Sequence, residues 1–198
     1  KCVKHRDFDG VIKAVTVEMK PSGKYYISVM VECLDETQLK INKKNNYNNL
    51  NVVGLDMSLS DFVVSSHEED NTIVKYVRNY RKNEKHLSKL QRKLSRKEKG
   101  SKNRMKSKRQ VAVLHEKIAN QRKDFINKTA LYFARKYDVI VLEDINLQNM
   151  SRTLHLGKSV NDLGFGEFRT ILEQKCKEYD TTIIYADKWY PSSKTCSS

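Results

Sequence analysis

Two short apolar runs in this chain are each closed by a carboxylate: Asn51-Val52-Val53-Gly54-Leu55-Asp56 and Val139-Ile140-Val141-Leu142-Glu143-Asp144. A run of four apolar, mostly β-branched residues between polar ones predicts a strand covered on both faces. The last residues of such a strand emerge at the sheet edge, where ligands bind. Acidic residues after a strand also serve as helix caps or turn formers. Asp144 fits that structural role, because it precedes a turn at Ile145-Asn146-Leu147 and can accept from free backbone amides there. Glu143 fits it poorly, since Glu is a weak cap. Asp56 leads through a tight turn into a second predicted strand at 61–66, so it opens a β-hairpin rather than a helix.

Elsewhere the pattern alternates or repeats at helical spacing. Residues 11–19 (VIKAVTVEM) and 24–33 (KYYISVMVEC) alternate loosely around Lys20-Pro21-Ser22-Gly23, which predicts a hairpin belonging to an N-terminal β module. Residues 34–50 are polar and Asn-rich and read as a linker, so residues 1–50 form a partial module and a new domain starts near Asn51. After strands at 51–56, 61–66 and about 72–77 comes a long helical insertion over about 75–136, broken once at Gly100-Ser101. Tyr76, Tyr80, Leu87, Leu90 and Leu94 form one stripe. Val111, Leu114, Ile118, Phe125, Thr129 and Tyr132 form another, so the two arms are expected to pack as an antiparallel helical hairpin. A strand at 139–143, a helix from about Asp162 to Tyr179 and a strand at 181–186, itself ended by Asp187, complete the chain. Phe165, Phe168, Ile171, Leu172 and Cys176 supply that helix's buried face.

Three strands, a helical crossover, a strand, a helix and a strand is the element order of an RNase H-like α/β domain. The expected architecture is therefore such a domain over 51–198, carrying a long basic helical-hairpin insertion and preceded by part of a β module. A right-handed crossover would set the first and fourth strands side by side and parallel, aiming Asp56 and Glu143 into one cleft.

Charge sharpens the picture. The net charge is +14, and residues 75–109 hold 16 of the 38 basic residues but 2 of the 24 acidic ones, leaving 22 of each sign elsewhere. The whole excess sits in one segment. Such self-repulsion calls for a polyanion, and nucleic acid phosphates fit better than an acidic membrane because the segment lacks a strongly apolar face. The residues expected to meet that partner are Arg78, Arg81, Lys82, Lys85, Lys89, Arg92, Lys93, Arg96, Lys97, Lys102, Arg104, Lys106, Lys108 and Arg109. No run approaches the roughly 20 apolar residues that span a bilayer, and no signal peptide is visible. Cys2, Cys33, Cys176 and Cys196 lack metal-like spacing and read as reduced thiols, so a cytoplasmic protein is expected, nucleoid-associated if bacterial.

Two strand-end carboxylates in one cleft suit Mg²⁺, which prefers carboxylate and water oxygens. In phosphodiester hydrolysis such residues hold two ions about 3.5–4 Å apart. The segments GLDMSLSDFVVSS (54–66) and VIVLEDINLQNM (139–150) resemble the first and second RuvC motifs of the transposon-encoded OrfB/TnpB proteins. The run GFGEFRTILEQKCKEYDTTIIYADKWYPSSKTCSS (164–198) is similar to the family segment that enters its zinc ribbon, and Asp187 to Cys196 is its most specific part.

The resemblance implies an RNA-guided DNA endonuclease related to compact type V CRISPR effectors, with guide RNA and target DNA as partners. It implies Asp56 and Glu143 as the first and second catalytic acids and Mg²⁺ ligands, and Cys196 as the first ligand of an incomplete Zn²⁺ site. The basic hairpin would contact the guide–target heteroduplex or the strand entering the cleft. The hairpin near 11–33 resembles part of the family's RNA-binding β module. Ser58 stands where the family usually has Gly, so the turn after Asp56 is expected to differ. The third acid and the remaining zinc cysteines are expected C-terminal to Ser198, and both ends look cut from something longer; on that expectation the fragment alone is inactive. A competing expectation is a catalytically silent nucleic-acid-binding module, which the basic segment supports without the acids.

Overall fold

A computed structural model describes residues 3, 7–8, 10–32, 50–58, 60–66, 74–76, 78–144 and 163–186. Two compact units result, and neither is continuous in sequence: one combines 1–39 with 83–119, the other 40–82 with 120–198.

In the first unit, β1 (Val11–Met19) and β2 (Tyr25–Glu32) form the expected antiparallel hairpin, in register from Val11 with Glu32 to Met19 with Tyr25 and irregular between Ile12 and Ala14. Its turn closes through the Gly23 amide donating to the Lys20 carbonyl at 2.8 Å, with Gly23 at φ 83°, a conformation that favours glycine. Most of α1 (Asn79–Ser95) and the first half of α2 (Lys102–Lys136) also belong here. The helix break falls where the sequence placed it, at Gly100 with φ 85°. Ser101 then accepts from the Arg104 amide at 3.1 Å as an N-terminal cap of α2. Leu87, Leu114 and Ile118 of the expected stripes are buried.

The second unit holds a four-stranded sheet in the order β4 (Val64–Ser65), β3 (Val52–Asp56), β5 (Val139–Glu143), β6 (Thr182–Ala186). β3 runs antiparallel to β4 and parallel to β5, which runs parallel to β6. Of the expected third strand, Val74 makes an antiparallel bridge to Val63. A third helix, α3 (Phe165–Tyr179), starts later than the sequence suggested, because Gly164 precedes it in a left-handed conformation at φ 70°. It ends on Asp180, also left-handed, whose amide donates to the Cys176 carbonyl.

One core gathers Val53, Leu55, Ile140 and Leu142 of the sheet, Ile126, Ala130, Phe133, Ala134 and Tyr137 of α2, and Phe165, Phe168, Leu172 and Cys176 of α3. Phe62 sits at its centre, with ring centroids at 5.0 Å from Phe125, 5.1 Å from Phe168 and 5.5 Å from Phe165.

Three expectations are corrected. β3 and β5 are not covered on both faces among the described residues: Val53, Leu55, Ile140 and Leu142 are buried, whereas Val52 is 48% and Ile184, on the same face, 49% exposed. The core residues of α2 and α3 meet the sheet on the other face, that of Val53, Leu55, Ile140 and Leu142. Tyr132 is 40% exposed rather than part of a buried stripe, because the second half of α2 faces the sheet through Ala130, Phe133, Ala134 and Tyr137. Tyr76 lies before α1 and joins the core, its ring 5.0 Å from Phe125. Residues 34–49 of the linker, Asp162, Asp187 and Cys196 lie outside the described residues.

Candidate metal-binding carboxylates and the basic helices

The parallel register of β3 and β5 determines where the two strand-end acids stand. Val52 pairs with Val139, Val53 with Ile140, Gly54 with Val141 and Leu55 with Leu142, so Asp56 and Glu143 follow one step further on, side by side on adjacent strands. Side chains alternate across a strand. Both acids therefore share the face of Gly54 and Val141, opposite the core, and both are exposed. The register is anchored at the other end of the strands, where the Asn51 amide donates to Asp138 Oδ2 at 3.0 Å and the Asp138 amide donates to the Asn51 carbonyl at 2.9 Å. Gly54 donates to Ser66 Oγ at 2.8 Å and accepts from the Ser66 amide at 2.9 Å, which holds β3 to its other neighbour.

The donor set fits a hard divalent cation: two carboxylates, adjacent, at an open strand edge, without a cationic partner among the described residues. Among those residues no cluster of three His, Cys, Asp or Glu side chains is present, so Asp56 and Glu143 form a pair. Ser58, the departure from the family pattern, has its hydroxyl inside the turn, where it accepts from the Ser60 amide at 3.2 Å and lies 2.8 Å from the Ser60 hydroxyl. Ser60 in turn donates to Asp61 at 2.8 Å.

Asp144 does something the sequence did not reveal. Its Oδ1 accepts from Arg169 Nη1 of α3 at 3.1 Å. The same guanidinium donates through Nε to the Tyr185 hydroxyl at 3.1 Å, lies 3.4 Å from Glu173 Oε1, and stacks over the Tyr185 ring at 4.2 Å. Tyr185 donates to Glu173, and burial together with that hydrogen bond pushes its hydroxyl above the usual range. The one hint in the sequence is the Arg169–Glu173 spacing of four on a helix, a pairing too common to single out.

The basic segment divides by role. Arg81, Lys82, Lys85, Lys89, Arg92 and Lys93 project from α1 and Lys102, Lys106 and Lys108 from α2, all exposed, as is Arg96 just after α1; Arg78 and Lys97 are half-buried. Arg104 and Arg109 hold the fold together. Arg104 Nη1 donates to the carbonyls of Leu94 at 3.0 Å and Lys97 at 2.9 Å, satisfying the C-terminal end of α1. Arg109 Nε donates to the Ser22 carbonyl at 2.8 Å, tying the β1–β2 turn to α2. Beside it, Glu116 Oε1 accepts from Tyr26 Oη at 2.6 Å and from Lys24 Nζ at 3.3 Å. The Ser22 hydroxyl, near but outside strict hydrogen-bond geometry, then Tyr26 and Lys24 hold the Glu116 carboxyl at about 2.

The OrfB_IS605 family model, described as a probable transposase, matches residues 18–154, and a Cas12f1-like TNB domain matches 165–198. The chain belongs to the OrfB_IS605 family. This OrfB-family chain is 32% identical over 184 residues to a Streptomyces pristinaespiralis protein named "Putative RNA-guided DNA endonuclease", covering 93% of the chain and 43% of that protein. It is 34% identical over 189 residues to the "Putative RNA-guided DNA endonuclease InsQ" of Escherichia coli K12, covering 93% and 44%. The "Putative RNA-guided DNA endonuclease Rv2885c" of Mycobacterium tuberculosis H37Rv is 27% identical over 116 residues, covering 56% of the chain and 25% of that protein. The OrfB-family chain thus spans less than half the length of these curated relatives. Both carboxylates and the whole basic segment fall inside the region matched by the OrfB_IS605 model.

Proposed function

We propose that the protein is an RNA-guided DNA endonuclease that hydrolyses DNA phosphodiester bonds at a RuvC-type site in an RNase H-like domain, with Asp56 and Glu143 as two of its Mg²⁺ ligands. The observation that carries this reading is the β3–β5 register, which puts the two acids on neighbouring parallel strands at one edge. The sheet order supports the fold assignment: a Val74 bridge, then β4, β3, β5 and β6, with the first connections antiparallel and the last two parallel. The relatives' names supply the substrate class.

Asp56 and Glu143 would hold the divalent ions, which when bound would supply Lewis acidity for phosphodiester hydrolysis. The protein's own residues do the rest. The two carboxylates present anionic oxygens at fixed spacing because the strands that carry them are hydrogen-bonded in register. The exposed cations of α1 and α2 bind the phosphates of guide RNA and target DNA, reading backbone and shape rather than sequence. Cys196, within the region matched by the TNB domain, would be the first ligand of a structural Zn²⁺. The expected place of work is the cytoplasm, with nucleoid association if the source is bacterial.

The test uses the full-length protein with guide RNA and Mg²⁺. Asp56→Ala and Glu143→Ala should each abolish target cleavage while leaving target binding intact. Cleavage that survives Asp56→Ala overturns the assignment. Salt-sensitive binding with no cleavage by the unaltered protein points instead to a silent binding module.

A further inference from the structure

Glu143 is the last residue of β5, the end of a strand is where register is weakest, and a metal ligand must hold its place to a fraction of an ångström. The residues around it are tied down by one side chain. Arg169 bonds Asp144, the next residue in the chain, at 3.1 Å. Through Nε and by stacking it also holds Tyr185, which pairs with Leu142 across β5–β6, while Glu143 pairs with Ala186. The strand end bearing Glu143 is thus gripped both along the chain and across the sheet by a guanidinium on α3.

The pleat decides what kind of role this is. Leu142 and Asp144 point to the face covered by α3, and Glu143 between them points to the other. Arg169 therefore stands behind the strand and does not share the side on which Glu143 would meet an ion or a scissile phosphate. A planar fork suits this task better than a point charge, because it binds two partners in fixed directions and stacks on an aromatic ring.

We propose that Arg169 is a positioning residue for the metal site, acting through Asp144 and Tyr185 to hold Glu143 in ligating position; this rests on the assignment of Asp56 and Glu143 as metal ligands. Partners one shell behind a metal ligand typically change affinity or activity by about 10–100-fold when removed. A merely structural Arg169 would lower thermal stability and leave metal dependence alone.

The experiment measures, on the full-length protein, Mn²⁺ binding by electron paramagnetic resonance and the Mg²⁺ concentration giving half-maximal target cleavage. Arg169→Gln and Asp144→Asn should each weaken Mn²⁺ binding and raise the half-saturating Mg²⁺ about 10-fold or more. The double variant should be no worse than either single one, because both break the same link. Arg169→Lys should fall between, keeping the charge and losing the fork; Tyr185→Phe, which keeps the ring, provides a milder lesion should Arg169→Gln unfold. Metal dependence unchanged in folded Arg169→Gln and Asp144→Asn, or in Tyr185→Phe should the first unfold, overturns the proposal. Asp56→Ala separates the two claims: if it cuts normally the metal site itself is misassigned, and if it is inactive while Arg169→Gln keeps normal metal dependence, only the positioning role falls.

Discussion

Asn51 and Asp138 exchange hydrogen bonds, the Asn51 amide donating to the Asp138 carboxylate at 3.0 Å and the Asp138 amide to the Asn51 carbonyl at 2.9 Å. The exchange sits at the opposite end of β3 and β5 from Asp56 and Glu143 and fixes which residues of the two strands face each other. A slip of one residue would turn every side chain to the other face, sending the acids toward the core. Asp138→Ala is expected to cost about 1 kcal/mol of stability, typical of one lost hydrogen bond. Hydrogen exchange should show the Asn51 amide losing protection first; an unchanged Asn51 exchange rate would contradict this account.

Thr181, 8% exposed, donates from Oγ1 to the carbonyls of Ala134 at 2.8 Å and Tyr137 at 3.1 Å. These belong to the orphan acceptors at the end of α2. Thr181→Val keeps the shape and removes the donor, so it should lower stability by about 1–3 kcal/mol, with Thr181→Ser retaining most of the parent value. Urea melts of the three proteins decide the point, and equal midpoints would show that water satisfies those carbonyls instead.

Phe62 is fully buried, with four aromatic rings of the described residues around it. Phe62→Ala should cost about 3–5 kcal/mol, combining lost transfer energy with an unfilled cavity. Chemical denaturation followed by circular dichroism measures it. A loss below about 1 kcal/mol would mean that the rings close over the gap.

Glu116 is held at about 2 against an ordinary value of 4.5, chiefly by the Ser22 hydroxyl and then by Tyr26 and Lys24. A carboxylate depressed on folding contributes its stability in full above its unfolded value and loses it as pH falls through the folded one. The melting-temperature advantage of the parent over Glu116→Gln should therefore be complete near neutral pH, shrink below 4.5 and vanish toward 2. An advantage independent of pH across that window would assign the effect to packing.

Much of the fold was legible because local signals agreed with it. Val139 to Leu142 is apolar, short and closed by acids, and it is a strand; Gly100 breaks the helical region where the periodicity breaks. The pairing of Asp56 with Glu143 followed from the RNase H-like element order and a right-handed crossover. What escaped depends on partners distant in sequence. Val52 and Val141 look as buried as Val53 and Ile140, and nothing local says that α2 and α3 pack on one side. Arg104 and Arg109 look like their exposed neighbours until the Leu94 and Ser22 carbonyls are found beside them. Asp144 reads as a turn former because Arg169 is 25 residues away.

The strands that bring the two acids together lie 87 residues apart along the chain, counted from Asn51 to Asp138. At synthesis rates of about 5–20 residues per second, β3 emerges roughly 4–17 seconds before β5 exists to pair with it. Through that interval β4 protects one of its edges and the other stands open to any extended segment nearby. The same basic insertion thus sets a delay in the protein's birth, during which one of the two proposed metal ligands waits on an unfinished sheet.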